Sequence, residues 1–211
     1  MNRQHTMKLY TTKGAVNPAR VQFFLAEKGL VIERGFINLM TGEHKTPEYR
    51  QIAANGRVPA LQLDDGTVIC ESVAICRYLE ELHPEPLLLG RNTLERAQVE
   101  MHDRMMELEL MMPMAMAFRH TFPAMKALED QVPEFGEKQR VLGQKRMRRL
   151  NRELAGKNYL LGDYFSIADI TAWCALRFFR VSGFEVGEDL PALHAWYQRI
   201  KARPAATAAF Q

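Results

Sequence analysis

The chain has 211 residues, 47% apolar and 25% charged, with a formal net charge of +3. That balance is ordinary for a soluble globular protein, and the length predicts one large or two modest domains. A charge this slight does not point to nucleic acid or a membrane surface, and no apolar run approaches the roughly 20 residues of a membrane span. Residues 1–6 lack the apolar core of a signal peptide and read as a loose tail. Cys70, Cys76 and Cys174 lie in apolar surroundings without CxxC spacing and read as small core residues. An odd, low cysteine count predicts a reducing compartment, the cytoplasm by default, and no His/Cys cluster at zinc spacing predicts a metal.

Lys8 to Thr12 reads as a short strand, followed by a loop through Val16. Asn17-Pro18 is a helix start, with Asn17 as N-cap and Pro18 at the first helical position, and Gly29 stops that helix. Val31 to Ile37 is a second strand, and Thr46-Pro47-Glu48 starts a short helix ending near Asn55-Gly56. Ala60 to Leu63 and Thr67 to Cys70 are strands joined through Asp64-Asp65-Gly66, a hairpin signal. Glu71 to Leu82 is a helix with Ile75, Tyr78, Leu79 and Leu82 among its apolar positions. The order β-α-β-α-β-β-α predicts a mixed sheet with helices packed on it over residues 1–83, and His83-Pro84-Glu85-Pro86 breaks the pattern at a linker over 84–93.

Residues 94–211 read as all helical. Leu94, Ala97, Met101, Met105, Leu108 and Met112 step by three and four along one stripe, and Pro113 is expected to bend or break that helix. Glu134 to Leu154 is a further helix. Its basic run, Lys138, Arg140, Lys145, Arg146, Arg148, Arg149 and Arg152, reads as a solvated face rather than a nucleic-acid surface. Ser166 with Asp169 three residues on is a capping box, with Phe165 and Ile170 placed as a staple, before a helix apolar nearly all round. Leu190-Pro191 opens a last helix that ends before Pro204.

The stretch Arg57-Val58-Pro59-Ala60-Leu61, followed by Cys70-Glu71-Ser72-Val73-Ala74-Ile75, carries the chemistry. A proline directly before a strand belongs at its first position, and a cis bond there would turn the Val58 backbone outward to pair with an extended ligand. A helix opened by Glu71 and Ser72 offers backbone donors to a carboxylate. Together they describe a grip for a small peptide.

These pieces, with Gly42-Glu43-His44-Lys45 and the capped Ser166-Ile167-Ala168-Asp169, resemble the cytosolic glutathione transferases over nearly the whole chain. The resemblance implies a thioredoxin-like domain followed by a helical domain, a homodimer, and glutathione as substrate with no metal. Residue by residue, it implies that Pro59 is the cis proline and that Val58 exchanges backbone bonds with the cysteinyl unit. Glu71 and Ser72 would hold the γ-glutamyl end, and His44, Lys45 and Arg57 would reach the glycine carboxylate. Met105, Met112 and Met116 fall where an apolar co-substrate would be lined, and Arg77, Glu100, Asp103 and Glu107 are charged candidates for the dimer face.

The resemblance is incomplete at one place. Theta- and zeta-like enzymes carry a serine where this chain has Ala15, and alanine has no donor for a thiolate. Asn17, the backbone N–H groups of Val16 and Asn17, and Thr12, Thr11 or Tyr10 upstream are the candidates to replace it. Three outcomes stay open: conjugation of glutathione to an apolar electrophile, disulfide or peroxide reduction as in nu-like members, and a binding protein without catalysis.

Overall fold

A computed structural model describes residues 7–211; the tail expected over residues 1–6 lies outside them. Strands β1 (Lys8–Thr11), β2 (Glu33–Phe36), β3 (Ala60–Gln62) and β4 (Val68–Cys70) form one sheet in the order β2-β1-β3-β4. β1 runs parallel to β2, and the β1–β3 and β3–β4 pairs are antiparallel. Helices α1 (Val16–Glu27), α2 (Pro47–Ile52) and α3 (Ser72–Leu82) alternate with these strands as the sequence pattern predicts.

The described residues divide into two compact units, one of residues 7–86 with Pro204–Gln211 and one of Leu87–Arg203. Boundaries were expected at 83 and 94, with everything beyond 94 in the helical domain. The division after Pro86 lies within the stretch expected as the linker, whereas the C-terminal stretch joins the first unit, where Ala205, Ala206 and Ala209 are buried.

The end of the first unit is tied by one side chain. Lys28, buried at the C-terminus of α1, places its ammonium 2.6 Å from a carboxylate oxygen of buried Glu80. The same nitrogen donates to the carbonyl oxygens of His83, Pro84 and Pro86, at 2.7, 3.2 and 2.8 Å. A charge taken out of water needs such partners, and here they fix the path of the chain as it leaves α3.

The second unit contains α4 (Thr93–Met105), a π-helical segment (Met106–Met111), α5 (Met112–Thr121), α6 (Pro133–Glu153), α7 (Ile167–Phe179) and α8 (Pro191–Lys201). α7 is its core, buried along almost its whole length, as an all-apolar helix should be. Pro113 does not break the helix before it: the chain stays helical from Thr93 to Thr121. Proline removes an N–H and crowds the carbonyl four residues back; the wider π turn upstream accommodates both.

The predicted stripe faces outward for most of its length. Leu94, Met101, Leu108 and Met112 are exposed, whereas Val99, Asp103, Met106, Leu110 and Met114 turn to the core. Asp103 is fully buried and accepts a hydrogen bond from the Thr171 hydroxyl, which withdraws it from any surface role. The basic run on α6 departs from a solvated face at Arg146. It falls on the buried side with Gly143, Met147 and Leu150, and pairs with Glu109 at 3.2 Å and Glu153 at 3.0 Å.

Ser166 and Asp169 form the expected capping box, and Asp169 does more than cap. One carboxylate oxygen accepts from the Leu160 N–H and the Trp196 Nε1–H, each at 2.9 Å; the other accepts from the Ser166 N–H at 3.1 Å. Burial raises this carboxyl to about 6 against the pull of those donors.

Candidate active site

Strand register brings the candidate residues to one end of the sheet. Tyr10 is level with Ala60, so Thr12, just past β1, and Val58-Pro59, just before β3, leave the sheet at the same end. Ala60 is level with Cys70, so Glu71-Ser72, just past β4, leave it at that end too. The Val58-Pro59 bond is cis, as the resemblance implies; Glu85-Pro86 is cis as well. Ligands of open α/β sheets bind beyond strand ends of this kind.

His44 and Lys45 lie on a single 3-10 turn, Glu43–Lys45, that follows the loop leaving β2. Gly56, at φ +59, comes so close that a Cβ there would sit 2.9 Å from the His44 carbonyl oxygen. Only glycine fits a positive φ and a backbone approach together. The buried Tyr49 hydroxyl donates to the carbonyl oxygen of Arg57, the residue after Gly56, at 2.7 Å. Burial lowers the pKa of His44, and the neighbouring cations Lys45 and Arg50 lower it further. Its Nδ1 is buried without a hydrogen-bond partner among the described residues.

At the head of α3, Glu71 is the N-cap with φ 68 and ψ 121, the one positive-φ residue other than glycine among those described. Holding a non-glycine residue there costs on the order of 1–3 kcal/mol, a strain that clusters at ligand sites. Ser72 is buried, and its hydroxyl oxygen accepts from a guanidinium nitrogen of Arg20 at 2.8 Å. Sequence reasoning missed Arg20. Its signal is a cation set within the apolar run Pro18-Ala19-Arg20-Val21, and it is 1% exposed in the second turn of α1. The thiol of Cys70, just before Glu71, is raised by burial and by the Glu71 charge, which disfavours it as a nucleophile.

The head of α1 differs from the expected one. Ala15 is the N-cap, extended at φ −127 and ψ 145, and the helix begins at Val16. Pro18 then stands at the third helical position, where an absent N–H costs nothing because first-turn donors have no intrahelical partner. Asn17 therefore caps nothing, and its Oδ1 is buried without a hydrogen-bond partner among the described residues, as is the Thr11 hydroxyl. Tyr10 is occupied elsewhere, donating to Gln62 at 3.1 Å. The site thus offers cations at one end, a strained helix head at another, and uncapped donors at the start of α1.

Known proteins share this fold. Residues 17–82 match the family model described as glutathione S-transferase, N-terminal domain, and residues 109–204 match the corresponding C-terminal domain. Glutathione S-transferase 2 of Saccharomyces cerevisiae is 39% identical over 94% of this chain and 87% of its own length. The crystal structure of Gtt2 from Saccharomyces cerevisiae superposes with a TM-score of 0.88 at 36% identity, covering 96% of this chain and 99% of that one. A class Gtt2 transferase of Vibrio parahaemolyticus gives 0.83 at 36% identity, covering 97% and 100%. Among the described residues no group of three or more His, Cys, Asp or Glu is placed to hold a metal, and no helix is long and apolar enough to cross a membrane. With both domains matched in order and a relative this similar over almost its full length, the chain belongs to the glutathione S-transferase family.

Proposed function

We propose that the chain conjugates glutathione to an apolar electrophile, with the thiolate held by the uncapped head of α1. The observation that supports this is that Thr12, Val58-Pro59 and Glu71-Ser72 adjoin the ends of β1, β3 and β4 at one end of the sheet. Glutathione is an extended peptide with two carboxylates, and each candidate group matches one part of it. The N-terminus of α3 and the Ser72 hydroxyl bind the γ-glutamyl carboxylate, and Glu71 accepts from the α-ammonium. The Val58 backbone pairs with the cysteinyl unit. His44, Lys45 and Arg57 take the glycine carboxylate, and His44 acts as a neutral donor because its pKa is lowered.

An unperturbed thiol, with pKa about 8.5, is mostly protonated at neutral pH. The N–H groups of Val16 and Asn17, the Asn17 amide and the Thr12 hydroxyl stabilise the thiolate, and its proton leaves to water. The thiolate then attacks an electrophilic carbon, a C–S bond forms, and the leaving group departs with its electron pair. Met105, Met112 and Met116, flanking the π segment, contact the electrophile; their adaptable side chains suit varied apolar surfaces. The chain acts as a homodimer, for which the exposed Leu94, Met101 and Leu108 provide apolar area. It works in the cytoplasm, where its three free cysteines stay reduced.

Turnover with an aromatic halide and with hydroxyethyl disulfide, after measurement of glutathione affinity, tests the reading. Conjugation of the halide is expected. Faster reduction of the disulfide would favour the reductase, and tight glutathione binding with neither activity would leave a binding protein.

A further inference from the structure

The helical unit contains a second concave site. A cavity of about 300 Å³ opens between the C-terminal end of α7, residues 184–186 and α8. Leu176 and buried Phe184 contribute apolar lining, and Tyr197 lines it with a half-buried ring. Around them stand Arg177, Arg180 and Lys201 with a single acid, Glu185, which leaves a net charge of +2 on the lining. All the lining residues belong to the unit Leu87–Arg203, and none is among those assigned to glutathione.

Two features separate this cleft from an ordinary basic surface. Arg180 and Lys201 form no ion pair among the described residues, although on α6 Arg140, Arg146 and Arg149 are paired with Glu109, Glu137 and Glu153. Like charges gathered at a concave surface raise the local potential for anions. The Tyr197 ring is also fixed, stacked on Trp173 with centroids 5.9 Å apart and planes at 27°. Arg177 and Arg180 both act on its phenol, lowering its pKa against the stronger effect of burial.

We propose that this cleft binds a small ring-bearing phosphate monoester, with its dianionic head on Arg177, Arg180 and Lys201 and its ring against Tyr197. Guanidinium forks match phosphate oxygens in pairs, and two negative charges balance the net charge of the lining where one carboxylate would not. The volume lies at the small end of ligand sites and suits one ring with one charged group.

Calorimetric titration of the full chain with phenyl phosphate, at saturating glutathione, tests this. Phenyl phosphate is expected to bind in the presence of glutathione, more tightly than inorganic phosphate and more tightly than benzoate. The double substitution Arg180→Gln with Lys201→Gln should weaken it by about tenfold, with glutathione turnover and melting temperature at the parent's level. Arg180→Gln alone should give an intermediate loss and serves if the double variant melts early. No binding at millimolar concentration, displacement by glutathione, equal binding of benzoate, or unchanged affinity in the variants would each overturn the proposal.

Discussion

Arg20 and Ser72 stand 52 residues apart in sequence, yet a guanidinium nitrogen of the first lies 2.8 Å from the hydroxyl oxygen of the second, both buried. The bond joins the helix proposed to hold the thiolate to the helix head proposed to hold a carboxylate. Because Ser72 accepts from Arg20, its own proton is directed elsewhere, which suits donation to a ligand. Arg20→Met should cost about 2 kcal/mol of stability, the scale for a hydrogen bond from a charged group. It should also raise the KM for glutathione several-fold with little change in kcat. An unchanged KM in a folded variant would confine Arg20 to packing.

Asn17 separates capping from catalysis. Replacing a true N-cap by alanine costs about 1 kcal/mol, but Asn17 follows the cap and its Oδ1 has no partner among the described residues. Asn17→Ala should therefore melt within about 0.5 kcal/mol of the parent, as substitutions away from stabilising contacts do. The pKa of bound glutathione's thiol, followed by thiolate absorbance, should rise. A thiol pKa that does not move would transfer the role to the backbone N–H groups and Thr12.

Lys28 tests the buried tie at the end of the first unit. Lys28→Met removes the cation and leaves buried Glu80 and three carbonyls without it. Breaking one side of a buried pair costs roughly 3–5 kcal/mol, which urea unfolding would register. Adding Glu80→Leu should recover part of the loss but not all, because the carbonyls of His83, Pro84 and Pro86 still lack their donor. Full recovery would mean that those carbonyl contacts add nothing.

Asp169 gives a pH dependence with a definite sign. Its carboxyl is raised from 3.8 to about 6, so the folded chain holds a proton that the unfolded chain releases. The stability this contributes is complete below 3.8 and is lost as pH rises through about 6. Asp169→Asn removes that dependence while disturbing the capping box. The gap in melting temperature between parent and variant should narrow as pH rises from about 4 to about 7. A gap that widens over that range would show a carboxylate held ionised throughout.

Features governed by short-range rules were legible before the structure. The hairpin at Asp64-Asp65-Gly66, the capping box at Ser166, the apolar helix after it and the Thr46-Pro47 start all formed as expected. Errors arose where a local rule had a competitor. Asn17-Pro18 is a strong cap signal, but the first turn tolerates proline beyond its first position, and the helix began two residues earlier at Val16. Pro113 was absorbed by a π turn, and the stripe read from Leu94 to Met112 lies mostly on the outer side.

By itself the sequence determined the element order and the family, because each depends on residues within a few positions of one another. Tertiary structure alone decided which side chains meet across the chain. Arg20 reaches Ser72, Lys28 collects Glu80 and the chain after α3, Asp169 gathers Leu160 and Trp196, and Gly56 comes against the His44 carbonyl. A buried polar group must find partners wherever the folded path brings them, and periodicity says nothing about that path.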